Sequence, residues 1–265
     1  MVSRNLKITL AYDGAEFYGW QVQPNLPTVQ GALANALERV TGETVLPQGS
    51  GRTDAGVHAL AQVASVRLES PIPARNLVIA LNDVLPPSVR VNSVEVVPDS
   101  FHARHSAKAK TYRYRIYRGD ICPPFLARYV YHDPYPMNEE ALIRASEDVV
   151  GKHDFTSFAA SDPDRSARLA EIAERDFGHC DCGTAGNIRT LHSSQWARTR
   201  DELVYTVRGD GFLHHMVRNL VGTFLLVGKG SLSIGDVPFI VEARNRSAAG
   251  PTAAACGLYL VSVEY

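Results

Sequence analysis

Ser50-Gly51-Arg52-Thr53-Asp54-Ala55-Gly56-Val57-His58-Ala59 is the stretch from which the remainder of the chain can be read. Gly51 and Gly56 permit positive φ and close backbone approach, so the segment reads as a tight loop that breaks a strand rather than continuing one. Thr44 to Ser50 reads as a short strand entering it. Ala64, Val66 and Leu68 alternate with Ser65 and Arg67 in the strand leaving it. Upstream, Thr28 is a good N-cap for a helix whose stripe is Val29, Leu33, Leu37 and Val40 and whose end is Gly42. Before that helix, Leu6, Ile8, Leu10 and Tyr12 alternate with Lys7, Thr9 and Ala11 as a half-buried strand closed by Asp13-Gly14. Downstream, Pro73 can open a helix through Leu77, Leu81 and Leu85, Pro86-Pro87 stops it, and Val89 to Val97 supplies a strand. The order is strand, helix, strand, strand, helix, strand.

The second half predicts the same order. Tyr112, Tyr114 and Ile116 alternate with Arg113, Arg115 and Tyr117 as a strand, and Asn138 caps a helix with Leu142, Ala145 and Val149 that closes at Gly151. Ile188 to Arg198 and Leu203 to Arg208 read as strands flanking a Thr199-Arg200-Asp201 turn. A helix is expected over Phe212 to Val227, a shorter one over Asp236 to Asn245, and a final strand over Leu258 to Val263. The expected fold is α+β: two tandem split βαββαβ units, of the ferredoxin or RRM kind, with antiparallel sheets and a central cleft. The first unit spans 1–100 and carries the loop; the second spans 101–265. Ala159 to Gly186 is too long for an ordinary connection and reads as a peripheral excursion, with a short helix around Leu169 and Ile172.

The chain has 265 residues, 45% hydrophobic and 21% charged, an ordinary composition for a globular protein that can bury one large core or two moderate ones. Its N-terminus lacks an uninterrupted apolar core and no segment is a bilayer span, so a cytoplasmic protein without a membrane partner is expected. Four cysteines do not suggest a disulfide scaffold. The formal net charge of -1 means that a nucleic acid must be attracted by local basic clusters rather than by the whole-protein field.

Such a cluster exists. From Ser100 to Gly119 there is no acidic residue, while Arg104, Lys108, Lys110, Arg113, Arg115 and Arg118 interleave with Phe101, Tyr112, Tyr114 and Tyr117. Cations neutralise phosphates and aromatic faces stack on unpaired bases; the competing interpretation is an amphipathic strand with a solvated basic face. In the loop, Arg52 beside Asp54 favours an ionised carboxylate available as nucleophile or base, against a glycine-rich turn with a surface ion pair. Arg218, after His214 and His215, can bind phosphate, whereas the histidines read as packing residues. His179-Cys180-Asp181-Cys182 has cysteines too close for a zinc knuckle and reads as a reduced exposed loop, and no His-Glu-x-x-His occurs, so no metal is assigned. Gly51-Arg52-Thr53 lacks the spacing and lysine of a Walker motif, and no nucleotide cofactor is expected.

The loop Gly51 to Ala59 resembles the catalytic motif of the TruA family of tRNA pseudouridine synthases. Further motifs follow in order: Tyr12-Asp13-Gly14 with Phe17, Gly19, Gln21 and Gln23; Thr28-Val29-Gln30; Arg104-His105-Ser106-Ala107 with Lys110-Thr111-Tyr112-Arg113-Tyr114; His214 to Asn219; and Gly257-Leu258-Tyr259-Leu260. The resemblance covers nearly the whole chain except the Ala159 to Gly186 excursion. It implies cofactor-free isomerisation of uridine to pseudouridine in the anticodon arm of tRNA, by a homodimer. It also implies Asp54 as the essential carboxylate, Arg52 orienting it, and Tyr112 stacking on the uracil and helping to exchange the C5 proton. Leu258 becomes apolar wall, and Arg104, Lys110, Arg113, His58 and Arg218 become substrate or RNA contacts. Two other classes compete: a non-catalytic tandem RNA-recognition module, which lacks its expected RNP run here, and a nucleoside hydrolase using Asp54 without reattachment.

Overall fold

The structure is a computed structural model and describes residues 3–160 and 186–265. The suggested helix around Leu169 and Ile172 and the His179, Cys180 and Cys182 cluster lie outside the described residues. Among the described residues the fold is mixed α and β, with ten mostly antiparallel strands and five α-helices, compatible with α+β. None of those helices is long and apolar enough to cross a membrane.

Two compact units share the chain. The first comprises Met1–Tyr135, Ala197–Arg208 and Ala254–Tyr265, the second Pro136–Trp196 and Gly209–Ala253. Each unit is discontinuous in sequence: the last strand belongs with the first unit's sheet rather than with the residues that precede it.

In the first unit β1 (Arg4–Tyr12) lies between β3 (His58–Leu68) and β4 (Val89–Val97), antiparallel to both. The two-residue β2 (Gln48–Gly49) pairs with β3, shorter than the strand expected over Thr44 to Ser50. Thr28 caps α1 (Val29–Thr41) by accepting the Gly31 N–H at 3.3 Å, a contact of about 1 kcal/mol. Gly42 ends the helix at φ +77°, the left-handed conformation in which glycine carries no Cβ penalty. Val29, Leu33 and Leu37 of α1, Leu77 and Leu81 of α2 (Ala74–Val84), and Leu6, Ile8 and Leu10 of β1 are each fully buried. At about 2 kcal/mol per such side chain, this packing holds the unit's strands and helices together.

The strand order continues from β3 to β10 (Leu258–Glu264), then β5 (Ala109–Tyr117), then β9 (Glu202–Gly209). β10 is parallel to β3, with Tyr259 opposite His58, and antiparallel to β5, with Leu260 opposite Tyr112. The chain's last strand is thereby inserted beside the exit of the Ser50 to Ala59 loop. A short parallel pairing of β6 (Tyr131–His132) with β5 had no sequence signal.

In the second unit Asn138 caps α3 (Glu139–Glu147), which stops before the expected end because Gly151, at φ +108°, instead opens β7 (Gly151–Asp154). β7 pairs with β8 (Ile188–Thr199). The helix expected from Phe212 begins only at Met216: His215 sits at φ +59°, a left-handed turn that the helical periodicity could not reveal. This α4 (Met216–Gly228) is buried almost all round, which fits its apolar sequence better than a one-sided stripe. The helix α5 (Asp236–Ala243) ends at Arg244, also left-handed.

Candidate active site

The loop is built from its own polar groups. Ser50 donates its backbone N–H to Val63 (2.7 Å) and its hydroxyl to Gln62 Oε1 (2.6 Å), and Gln62 Nε2 donates to the Gly51 carbonyl (3.0 Å). Gln62 is fully buried, and a buried amide must spend its hydrogen bonds inside the protein, here on the entry to the loop. From β5, Lys110 Nζ donates to the Ser50 carbonyl at 2.6 Å. A Cβ on Gly51 would come within 2.9 Å of that ammonium, so one of the two loop glycines makes room for a lysine of the chain itself. The other closes the turn: Val57 N–H donates to the Asp54 carbonyl (3.1 Å), with Gly56 at φ +77° in the third position.

Thr53 and Asp54 sit between these anchors. The Thr53 carbonyl accepts the Trp20 N–H at 3.0 Å, and its hydroxyl meets Tyr12 OH at 2.8 Å. Asp54 is half-buried, and its loop neighbour Arg52 is exposed with Nε donating to Gln21 Oε1 at 3.2 Å. Tyr112 is 8% exposed. Burial pushes its phenol up from the ordinary value, and the neighbouring Tyr12 and Asp54 charges push in the same direction. Tyr12 reaches the loop through Thr53, and the Tyr112 face of β5 reaches it through Lys110, two residues earlier. Burial also raises Tyr12 to about 12 against the opposing hydrogen bonds to Thr53 and Gln62. Both phenols therefore stay protonated at pH 7.

The remaining expected site residues divide. Leu258 is buried and lies opposite Tyr114 in the β10–β5 pair, two residues along each strand from the Leu260–Tyr112 pair. Arg113 is in the same strand as Tyr112 but on the opposite face, since successive side chains alternate; its cross-strand neighbour is Tyr259. Arg104 is exposed in the segment between β4 and β5. Arg218 belongs to the second unit, three residues into α4, where its Nε donates to the Ala253 carbonyl at 2.7 Å.

His58 is only 2% exposed. Its Nδ1 accepts the Gly14 N–H (3.1 Å), Nε2 lies 3.1 Å from the Arg128 carbonyl, and its ring stacks on Tyr259 at 4.8 Å. Since a backbone N–H can only donate, the neutral ring carries its proton on Nε2. Burial lowers its pKa below the ordinary 6.5, and Asp13, whose Oδ1 is 3.2 Å from Nδ1, only partly opposes this. Above pH 6.5 the ring is neutral whether the chain is folded or unfolded; below it, the unfolded chain takes up the proton first and stability falls. The stability advantage of the natural chain over His58→Asn should therefore shrink from about pH 7.5 to about pH 5.5 in urea unfolding. An advantage that grew over this range would contradict the neutral, buried ring.

The sequence places Tyr12 and Asp13 in the Tyr12-Asp13-Gly14 motif and Thr53 in the loop without assigning them a role, and singles out neither Gln62 nor Tyr129, whose hydroxyl donates to Asp13 Oδ2 at 3.0 Å. Gln62 offers a signal as an amide in a mostly apolar strand.

A half-buried carboxylate in a glycine turn whose entry is held by the buried Gln62 and by Lys110 of β5 marks this loop as the candidate site of an enzyme. The comparisons supply the reaction. The family described as tRNA pseudouridine synthase matches residues 8–106 and 145–265. The chain is 48% identical to a tRNA pseudouridine synthase A from Solibacter usitatus, over 99% of this chain and all of that protein. It is 44% identical to one from Moorella thermoacetica (98% and 99% covered) and 43% identical to one from Bacillus licheniformis (98% of each). The chain belongs to the tRNA pseudouridine synthase family.

Proposed function

We propose that this isomerase converts uridine to pseudouridine in the anticodon arm of tRNA, with Asp54 as its catalytic carboxylate. The reaction breaks the C1'–N1 glycosidic bond, turns the uracil while it is held, bonds C5 to C1' and releases the C5 proton. Attack of Asp54 on C1' or on C6, or removal of a proton from C2', each begins with an ionised carboxylate facing the nucleoside. The observation that supports the reading is geometric: Lys110, two residues before Tyr112 on the same face of β5, donates to the Ser50 carbonyl at 2.6 Å, which brings the buried Tyr112 side of β5 against the loop that carries Asp54. Tyr112 stacks on the base, and being neutral it passes the C5 proton on only when another group receives its own. Leu258 supplies apolar wall.

Arg52 orients the carboxylate from the exposed side, and Arg104, Arg113 and Arg218 meet phosphates. Lys110 and His58 act by holding the loop, because their described hydrogen bonds go to the protein backbone. A paired uridine must leave its stack first, at a few kcal/mol that backbone contacts offset. We further propose that the halves 1–100 and 101–265 descend in element order from one split βαββαβ plan, that a central cleft between them receives the RNA, and that a cytoplasmic homodimer binds the tRNA. In the first half, the strand order β4-β1-β3 with β2 on β3 supports that plan.

The test is to incubate the purified chain with an unmodified tRNA transcript and map pseudouridine by chemical sequencing. New pseudouridine in the anticodon arm without loss of base is expected. Pseudouridine confined to another arm would refute the assigned position, and released uracil would favour a hydrolase.

A further inference from the structure

We propose that Tyr12 is a positioning residue that sets the Asp54 carboxylate through the side chain of Thr53. The inference rests on Asp54 being the reacting group. Tyr12 and Thr53 are 4% and 6% exposed, and their oxygens are 2.8 Å apart. In the β1–β3 ladder Leu10 faces Gln62 but Tyr12 faces Ala59, so β3 carries one extra residue beside the loop. A bulge of this kind re-aims a side chain and is a device found next to active sites. Here the extra residue lies in β3 between Gln62 and the loop, and the phenol of the last β1 residue meets the Thr53 hydroxyl and is within reach of Gln62, whose amide already holds the loop entry.

Thr53 is thus fixed at both ends, by Trp20 N–H on its carbonyl and by Tyr12 on its hydroxyl, and Asp54 is the next residue along a planar peptide. Rotation at Thr53 would carry the carboxylate with it. The phenol stays protonated through neutral pH, so the hydrogen bond persists wherever the enzyme works. Tyr12 touches Thr53 rather than the reacting atoms in this account, which predicts an effect on turnover and little on substrate affinity.

Tyr12→Phe and Thr53→Val are compared singly and together, with Thr53→Ser as the conservative restoration and Asp54→Asn as the reference, using single-turnover and steady-state pseudouridine assays. Each single variant should lower kcat about 10- to 100-fold, the scale of a sub-ångström to ångström misplacement. KM should stay within about threefold, because uniform binding is untouched. The double variant should be no slower than the worse single, since both remove one hydrogen bond. Thr53→Ser should recover most of the rate. The proposal is overturned if Tyr12→Phe turns over at the natural rate, if the two losses multiply, if they appear in KM alone, or if Thr53→Ser is as slow as Thr53→Val. If Tyr12→Phe fails to fold, the Thr53 pair decides by itself. Turnover retained in Asp54→Asn would instead refute the assignment of the carboxylate.

Discussion

Asp54→Asn should lower pseudouridine formation by about 10³-fold or more, because an amide can neither act as a nucleophile toward C1' or C6 nor accept a proton from C2'. The substitution is nearly isosteric, and the groups holding the loop are elsewhere: Gln62 and Lys110 at its entry, Trp20 and Tyr12 on Thr53, and the Asp54 carbonyl, retained in asparagine, on Val57 N–H. Thermal unfolding should shift by no more than about 2 °C, the scale of an ordinary surface substitution. Affinity for tRNA, measured by filter binding, should change little, since phosphate contacts dominate it. Turnover in a purified, folded Asp54→Asn protein would remove the carboxylate from the mechanism. Loss of activity with matching loss of tRNA binding would make Asp54 a binding residue.

Gly19→Ala should be strongly damaging, because it strikes the loop at Thr53 and Asp54. Gly19 holds φ +90°, and a Cβ there would stand 2.6 Å from the Thr53 carbonyl oxygen and 3.2 Å from the Asp54 carbonyl carbon. Those neighbours are backbone atoms, so no rotamer change relieves the clash. Strain at positive φ of about 1–2 kcal/mol and overpacking of about 1–3 kcal/mol together predict about 3 kcal/mol of destabilisation, or roughly 10 °C in melting temperature. The part of the chain that can yield is Thr53 to Ala55, so the folded fraction should also lose about 100-fold in kcat. Gly42→Ala is the control: its φ is +77° but nothing lies within 4 Å of the added Cβ, so it should show the backbone strain without the loss of turnover. Equal turnover in the two variants at a temperature where both are folded would separate Gly19 from the loop.

The residues that make the secondary structure of the first unit were legible because their signals are local. Leu6, Ile8, Leu10 and Tyr12 alternate, Thr28 and Gly42 bracket a helix, and Pro73 and Pro86 bracket another; each depends on neighbours a few positions away. His215 and Gly151 misled for the complementary reason. A left-handed residue before α4 and a strand opened by a glycine after α3 answer to packing that periodicity does not record. In the site, Asp54, Arg52 and Tyr112 stood out by residue type and motif, whereas Tyr12, though it opens the Tyr12-Asp13-Gly14 motif, read as the last residue of a strand with no role of its own. Its hydroxyl acquires a role only because the fold brings it to 2.8 Å from the Thr53 hydroxyl, a contact between residues 41 positions apart.

The sequence by itself determined which stretches become strands and helices, the glycine turn that presents Asp54, and the family, because capping, alternation and motif spacing are written within short windows. Only the tertiary structure decided that the final strand lies beside β3, that each compact unit gathers separate stretches of the chain, and that Lys110 and His58 are bound to backbone groups. Such partners are chosen by sheet hydrogen bonding and by the burial of polar groups that must be satisfied, and both join residues far apart in the chain.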